Sequence, residues 1–341
     1  MILPEPRGPF SECLIASLTR PPTQGERRLP AEAPRCADPV LDEDLQLSLF
    51  LCYQLHYSGL ADVDDRWEWN PGLLALRADL EACFEQALRR TCEGFAGPDP
   101  TAVSARELPA RLSAMVRADA GPSLTAFMRA HATFEQYREF ARQRSLYHLR
   151  EADPHTWAVP RIEGRAKAAL VEIQADEYGQ GDPERMHAEL FRTVMRGLGL
   201  DPGYGAYLES APAVTLALNN AMSLFGLHRR LRGALLGHLA AFEMTSTGPN
   251  RDLSLGLRRL GVAARVRRYF DEHVEADAAH EQIAARDMCG SFAADHPEQV
   301  PDVLFGAAVC LTLDRLWAEH LLDRWGVRTD PPVGARAVTA E

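Results

Sequence analysis

Apolar residues recur at intervals of three and four along most of the chain, the spacing of one face of a helix. The run LDEDLQLSLFLCYQLHY at 41–57 is typical. The same period predicts helices over about 73–92, 103–119, 123–152, 162–178, 183–199, 211–226, 229–246, 251–260, 262–288 and 300–325. Breaks between them carry Gly, Pro, Asp and Asn, as in ADPHTWAVP, YGQGDP and STGPNRD. No run of alternating β-branched residues suggests a strand, so the fold class is all-α. A short apolar segment at 9–19 precedes RPPTQGERRLPAEAPRCADPV, which reads as irregular. The expected organisation is a Pro-rich lead-in over 1–40, N-terminal helices over 41–130, a helical core over 131–326 and a tail over 327–341. Residues 41–326 are expected to form one compact unit.

Polar residues interrupt the apolar stripes at a few places. In the segment from Val262, the positions Val266, Phe270, His273, Asp277, His280 and Ala284 share one face. His273, Asp277 and His280 fall within roughly 60° of each other on the helix surface. Buried carboxylates and imidazoles need partners, and a metal would satisfy all three together. A solvent-facing stripe or a buried His–Asp pair fits this segment equally well. In GALLGHLAAFEMTS, Glu243 shares a face with Leu236 and Ala240. It is either a ligand or a structural ion-pair partner. In DPERMHAELF, Asp182 is a good N-cap and Pro183 suits a first turn, so Glu184 and His187 would share a helical face. Glu177 ends the preceding helix, close to Asp176 and Glu172, and GQGD at 179–182 leaves its direction open. Glu151 follows the apolar face of Phe140, Leu146 and Tyr147.

Composition narrows the classes. The net charge of −11 argues against a nucleic-acid surface. HRRLRG at 228–233 reads as a helix surface, and VDDRWEWNPG at 63–72 as a packed connection anchored by two tryptophans. Seven scattered cysteines without a CxxC suit free thiols in a reducing cytoplasm. No uncharged apolar run is long enough to span a membrane, and the N-terminus lacks the pattern of a secretory signal. There is no GxSxG, P-loop or GxGxxG, so hydrolase and nucleotide-binding readings lack support.

Counting ligands gives one carboxylate–imidazole set in Glu184 and His187 and another in Asp277 and His280, joined by Glu151 and Glu243. Such a set would hold two first-row metals, after the logic of di-iron carboxylate bundles. Only one Glu-x-x-His occurs, so the chain departs from the ferritin-like pattern. Hard carboxylates with imidazoles and no thiolate suit iron or manganese.

The ordered set Glu151, Glu177-x6-Glu184-x2-His187, Glu243, His273-x3-Asp277-x2-His280 resembles the haem-oxygenase-like di-iron oxidases and oxygenases, the iron-containing redox enzymes. It is most similar to their N-oxygenating members. The resemblance covers 140–290, while residues 1–130 match no motif of the family. It implies a haem-oxygenase-like helical bundle with an N-terminal helical extension. It implies core ligands at Glu151, Glu184, His187, Glu243, Asp277 and His280, with Glu177 and His273 as additional ones. Tyr147, His148 and Tyr178 are candidates for supporting the ligands, and Arg144, Arg150, Arg161 or Arg165 for receiving a substrate carboxylate. The implied cofactors are two iron ions, which reduce the co-substrate O2 to the peroxide level, with an external electron donor of unknown identity. The implied reaction is oxygenation of the nitrogen of an amine or amino-acid-like metabolite. Rival readings are desaturation or C–C cleavage of an amino or fatty acid, and a metal-free helical binding protein. A haem-binding reading is weaker, because carboxylates surround the imidazoles. Expected partners are a small-molecule substrate, a second copy of the chain and a reductase, with neither nucleic acid nor membrane.

Overall fold

A computed structural model describes residues 1–22, 29, 36–95, 100–119 and 121–327; within 275–279 it describes the backbone but not the side chains. The described residues contain helices and no strand. The first six helices are α1 (Pro9–Leu18), α2 (Glu43–Gln54), α3 (Pro71–Thr91), α4 (Leu108–Ala118), α5 (Leu124–Ala130) and α6 (Phe134–His148). They are followed by α7 (Asp153–Thr156), α8 (Gly164–Glu177), α9 (His187–Gly197), α10 (Ala213–Leu227), α11 (Arg232–Met244) and α12 (Thr247–Arg259). The last are α13 (Ala264–Gln282), which runs into a π-helical segment over Ile283–Gly290, then α14 (Ser291–Asp295) and α15 (Val300–Arg324).

Local chemistry explains the main boundaries. Asp42 caps α2 by accepting from the Leu45 amide at 2.8 Å, and Asn70 caps α3 through Leu73 at 3.0 Å. The single helix expected over 123–152 is two, because Thr133 and Gln136 form a capping box that restarts the chain at α6. The helix expected from 183 begins at His187, after a single turn over Pro183–Arg185. Within the expected lead-in, residues 9–18 form a helix that buries Phe10, Leu14 and Leu18; residues 23–28, 30–35 and 328–341 lie outside the described ones. In the 63–72 connection only Trp67 is an anchor, buried with its Nε1 donating to the Arg20 carbonyl at 2.8 Å. Trp69 is 68% exposed and meets the edge of His56.

Two apolar clusters fill the interior. One draws on Phe10 and Leu14 of α1, Leu47 of α2, Leu236 of α11 and Leu304 of α15. The other gathers Tyr137 of α6, Phe191 of α9, Leu257 of α12, Phe270 of α13 and Trp317 of α15. The long helix α15 therefore serves both. It lies against α11 at backbone distance: a Cβ on Gly237 would stand 1.8 Å from the Val303 carbonyl oxygen, and one on Gly306 1.9 Å from that of Ala234. Only glycine permits this approach. The close contact fixes α11, and with it Glu243. All seven cysteines are free thiols. Among the described residues no helix is long and apolar enough to cross a membrane.

Candidate metal centre

The polar intrusions converge where the end of α6, α8, α9, α11 and α13 meet. Glu151 does not project from a helix. α6 ends at His148, and the chain reverses through Ala152, which takes the left-handed conformation at φ 74°. That conformation costs a non-glycine residue about 1 kcal/mol. Gln174 on α8 stabilises it by donating to the Ala152 carbonyl at 3.0 Å. Glu151 is thereby turned inward and buried. Tyr269 of α13 places its hydroxyl 2.8 Å from both Glu151 oxygens, and His148 Nδ1 lies 2.9 Å from Oε1.

Two ligand groups follow. Glu151, Glu177, His187 and His273 each offer one ligand atom, and the four atoms lie within 4.8 Å of one another. Glu177, Glu243 and His280 form a second group on the same criterion. All six residues are buried, and Glu177 belongs to both groups. It closes α8, while His187 opens α9, and their Oε2 and Nδ1 atoms are 2.9 Å apart. His273 Nδ1 donates to the Tyr269 carbonyl at 2.7 Å, so its Nε2 carries the lone pair. That Nε2 stands 3.9 Å from Glu151 Oε1. His280 reaches Asp176 Oδ2 through Nε2 at 2.9 Å and Glu243 Oε2 through Nδ1 at 3.5 Å.

The electrostatics favour a cation. Burial raises the Glu177 carboxyl above the usual range, against the opposing pull of His187. Burial would raise Glu151 too, but the imidazoles of His148, His273 and His187 hold it well below the ordinary value. Burial and the neighbouring His187 push His273 down to about 3, leaving it the neutral ring that ligates metal. Burial also disfavours the charged form of His280, yet Glu243 and Asp176 outweigh it and raise the group to about 9. Glu177 Oε2 is buried, with His187 Nδ1 2.9 Å from it. A carboxylate oxygen in that state is costly unless a cation meets it. Imidazoles and carboxylates without a thiolate fit iron or manganese.

Of the residues singled out in the sequence, Glu151, Glu177, His187, Glu243, His273 and His280 come together. Glu184 does not: it is exposed, on the turn ahead of α9. Met186, at φ −56° and ψ 130°, is not helical, so Glu184 and His187 do not share a helical face. The Asp277 side chain lies outside the described residues, although its backbone is part of α13. His148 supports Glu151 directly. Tyr147 is buried against Phe242, its hydroxyl pushed up by burial and by the carboxylates of Glu151, Glu177 and Glu243. Tyr178 supports no ligand: its hydroxyl is tied to Thr156 and Asp153, each at 2.9 Å. The sequence reading missed Tyr269, and it named Asp176 only as a residue to be confused with Glu177. It also missed the buried pair His155 and His238, whose Nε2 and Nδ1 atoms are 3.4 Å apart. Burial lowers both rings, His238 to about 4, so both are neutral.

Beside the first group lies a cavity of about 280 Å³, which Glu151, His273, Tyr147, Tyr269 and Phe242 border. Metal bound there would face a space large enough for a small organic molecule.

The sequence model of the family described as iron-containing redox enzymes matches residues 138–315, just over half of the chain. No curated protein matches it.

Proposed function

The chain belongs to the iron-containing redox enzymes, and from that premise we propose that it is a di-iron, O2-activating oxidoreductase that oxygenates the nitrogen of an amine or amino-acid-like metabolite. The observation that carries the two-metal reading is the double membership of Glu177. One carboxylate common to two adjoining groups of buried ligands is the arrangement that bridges two metals. In this reading Glu151, Glu177, His187 and His273 hold one iron, and Glu177, Glu243 and His280 the other. Asp277, three residues before His280 on α13, is proposed from its sequence position as a further carboxylate. The presence of Glu177 and His273 beside the other ligands supports the N-oxygenating reaction, because that is where the resemblance placed the additional ligands.

Iron held by these residues would supply the redox chemistry with O2. The chain's own residues do the rest. Tyr269 and His148 fix both oxygens of Glu151, and the Tyr269 carbonyl fixes the tautomer of His273. Asp176 lies 2.9 Å from His280 Nε2 and would hold the N–H on that nitrogen, so that Nδ1, which faces Glu243, would be the ligating atom. Phe242, Tyr147 and Phe270 wall the cavity and limit the entry of water. A reductase as electron donor, a homodimeric state and a cytoplasmic location belong to the same proposal through the family resemblance.

The test is anaerobic loading with Fe(II), counting iron per chain, then mixing with O2 under stopped-flow absorbance. The expected result is about two irons per chain and a transient visible band. Glu177→Gln should bring the count below one and abolish the band, whereas the exposed Glu184→Gln should leave both intact. Failure to take up stoichiometric iron under any loading condition overturns the reading. Mass analysis of products from candidate amines separates a gain of oxygen on nitrogen from the loss of hydrogen that desaturation would give.

A further inference from the structure

The cavity runs along one face of α6. Gln143, Arg144, Tyr147 and His148 border it at the spacing of a helical face, and Glu151 borders it from the turn beyond the helix end. Glu151 marks the metal end. On α6, Arg144 stands about one turn, roughly 6 Å along the helix axis, before His148, which contacts Glu151, and long side chains on a helix lean towards its N-terminus, away from the metals. Of the four arginines that the sequence offered for a carboxylate, Arg144 is the one that borders the cavity. Arg150 is buried among aromatic rings, 4.4 Å from the centroid of Tyr57. Arg161 donates to the carbonyls of Gly226 and Leu227, and Arg165 pairs with Asp287 on the surface.

The Arg144 guanidinium lies over the Trp317 ring, its Cζ 3.9 Å from the ring centroid. Its contact with Asp314 uses one terminal nitrogen, out of five N–H donors. Beside it the Gln143 amide has a fixed orientation. Its Oε1 accepts from Thr215 Oγ1 at 3.0 Å and from Trp317 Nε1 at 2.8 Å, so the NH2 group is what it presents elsewhere. The Asn219 amide is committed in a similar way, donating to the Thr215 carbonyl at 2.9 Å. Between this donor pair and the ligands the walls are mainly apolar, with Phe140, Leu218, Met222 and Phe270.

Resting on the reading of the cavity as the substrate site, we propose that Arg144 and the Gln143 amide bind a substrate carboxylate. The molecule oxidised at the metals is then a carboxylic acid whose reactive group stands at least about 6 Å from its carboxylate, separated by an apolar spacer. Asp314 occupies Arg144 until the substrate arrives, and the substrate carboxylate shares or displaces it.

Calorimetric titration of the full chain tests this under anaerobic conditions, with and without Fe(II). The probes are linear ω-amino acids from aminovalerate to aminocaprylate, together with the matching carboxamides. The best acid should bind at least about tenfold more tightly than its amide. Arg144→Gln should erase that difference, and Asp314→Asn should strengthen binding of the acids. Circular dichroism and the melting temperature establish that each variant is folded. Equal binding of acid and amide, discrimination that survives in folded Arg144→Gln, or no binding by any acid overturns the proposal. Iron stoichiometry is read separately and should be unchanged in Arg144→Gln, so failure here is distinct from failure of the di-iron reading.

Discussion

Tyr269 holds Glu151 by both oxygens and touches His148 Nδ1 at 2.7 Å, so one hydroxyl organises one side of the first ligand group. Replacing it by phenylalanine leaves a buried carboxylate short of a donor. Tyr269→Phe should lower iron affinity by about tenfold or more, read by competition with a chelator. Denaturant unfolding of the metal-free variant should show a loss of about 1–2 kcal/mol. Unchanged iron binding would deprive Tyr269 of its positioning role. The sequence made the candidate ligands visible and this residue invisible for one physical reason. A Glu or His at an apolar position of a helical repeat demands a partner, whereas a tyrosine there looks like core. Glu184 was misread because a spacing of three puts side chains on one face only where the helix is continuous, and Met186 breaks it. Tyr178 was misread by adjacency: it follows Glu177 in the chain, but its hydroxyl is tied towards α7.

Two glycines set the placement of a whole ligand-bearing element. Gly237 and Gly306 let α11 and α15 meet at backbone distance, and Glu243 stands near the end of α11. Gly306→Ala should destabilise the fold by about 2–3 kcal/mol in urea unfolding. It should also reduce iron content by moving Glu243 relative to His280. A variant as stable as the parent would contradict the contact. Nothing in the sequence signals this, since a glycine in GALLGHL reads only as a weak point in a helix. Helix period was legible over nearly every element. Boundaries failed where capping decided them, as at Thr133, and where the chain adopts a single turn before His187. The π-helical stretch at Ile283–Gly290 was also out of reach, because a repeat of three and four does not register one inserted residue.

At the scale of the molecule, the buried charges tie folding to pH and to metal. In the metal-free chain His280, raised to about 9, contributes stability that is complete below its unfolded value near 6.5 and is lost as pH climbs through about 9. The raised Glu177 acts in the same direction, since its neutral form is the one the fold prefers. His273, lowered to about 3, works the other way: its contribution is complete above 6.5 and fades as pH falls towards 3. The melting temperature of the metal-free chain should therefore peak near pH 6.5 and fall on both sides. Iron should raise it most on the alkaline side, because binding expels protons. A flat profile between pH 5 and 9 would contradict these assignments. The N-terminal helices, in which the sequence displayed no motif of the family, pack into the apolar cluster that α11 and α15 share.

The wall of the cavity that borders the proposed metal centre contains Met222, Cys310 and Trp317. When no substrate is present to intercept the oxidant, such side chains along the cavity would be open to it. Burial pushes the Cys310 thiol far up, and a protonated thiol reacts slowly. The thioether of Met222 has no proton to lose, so it is the softer target. An idle catalyst of this design wears from the inside, and its working life is set by how seldom it fires empty.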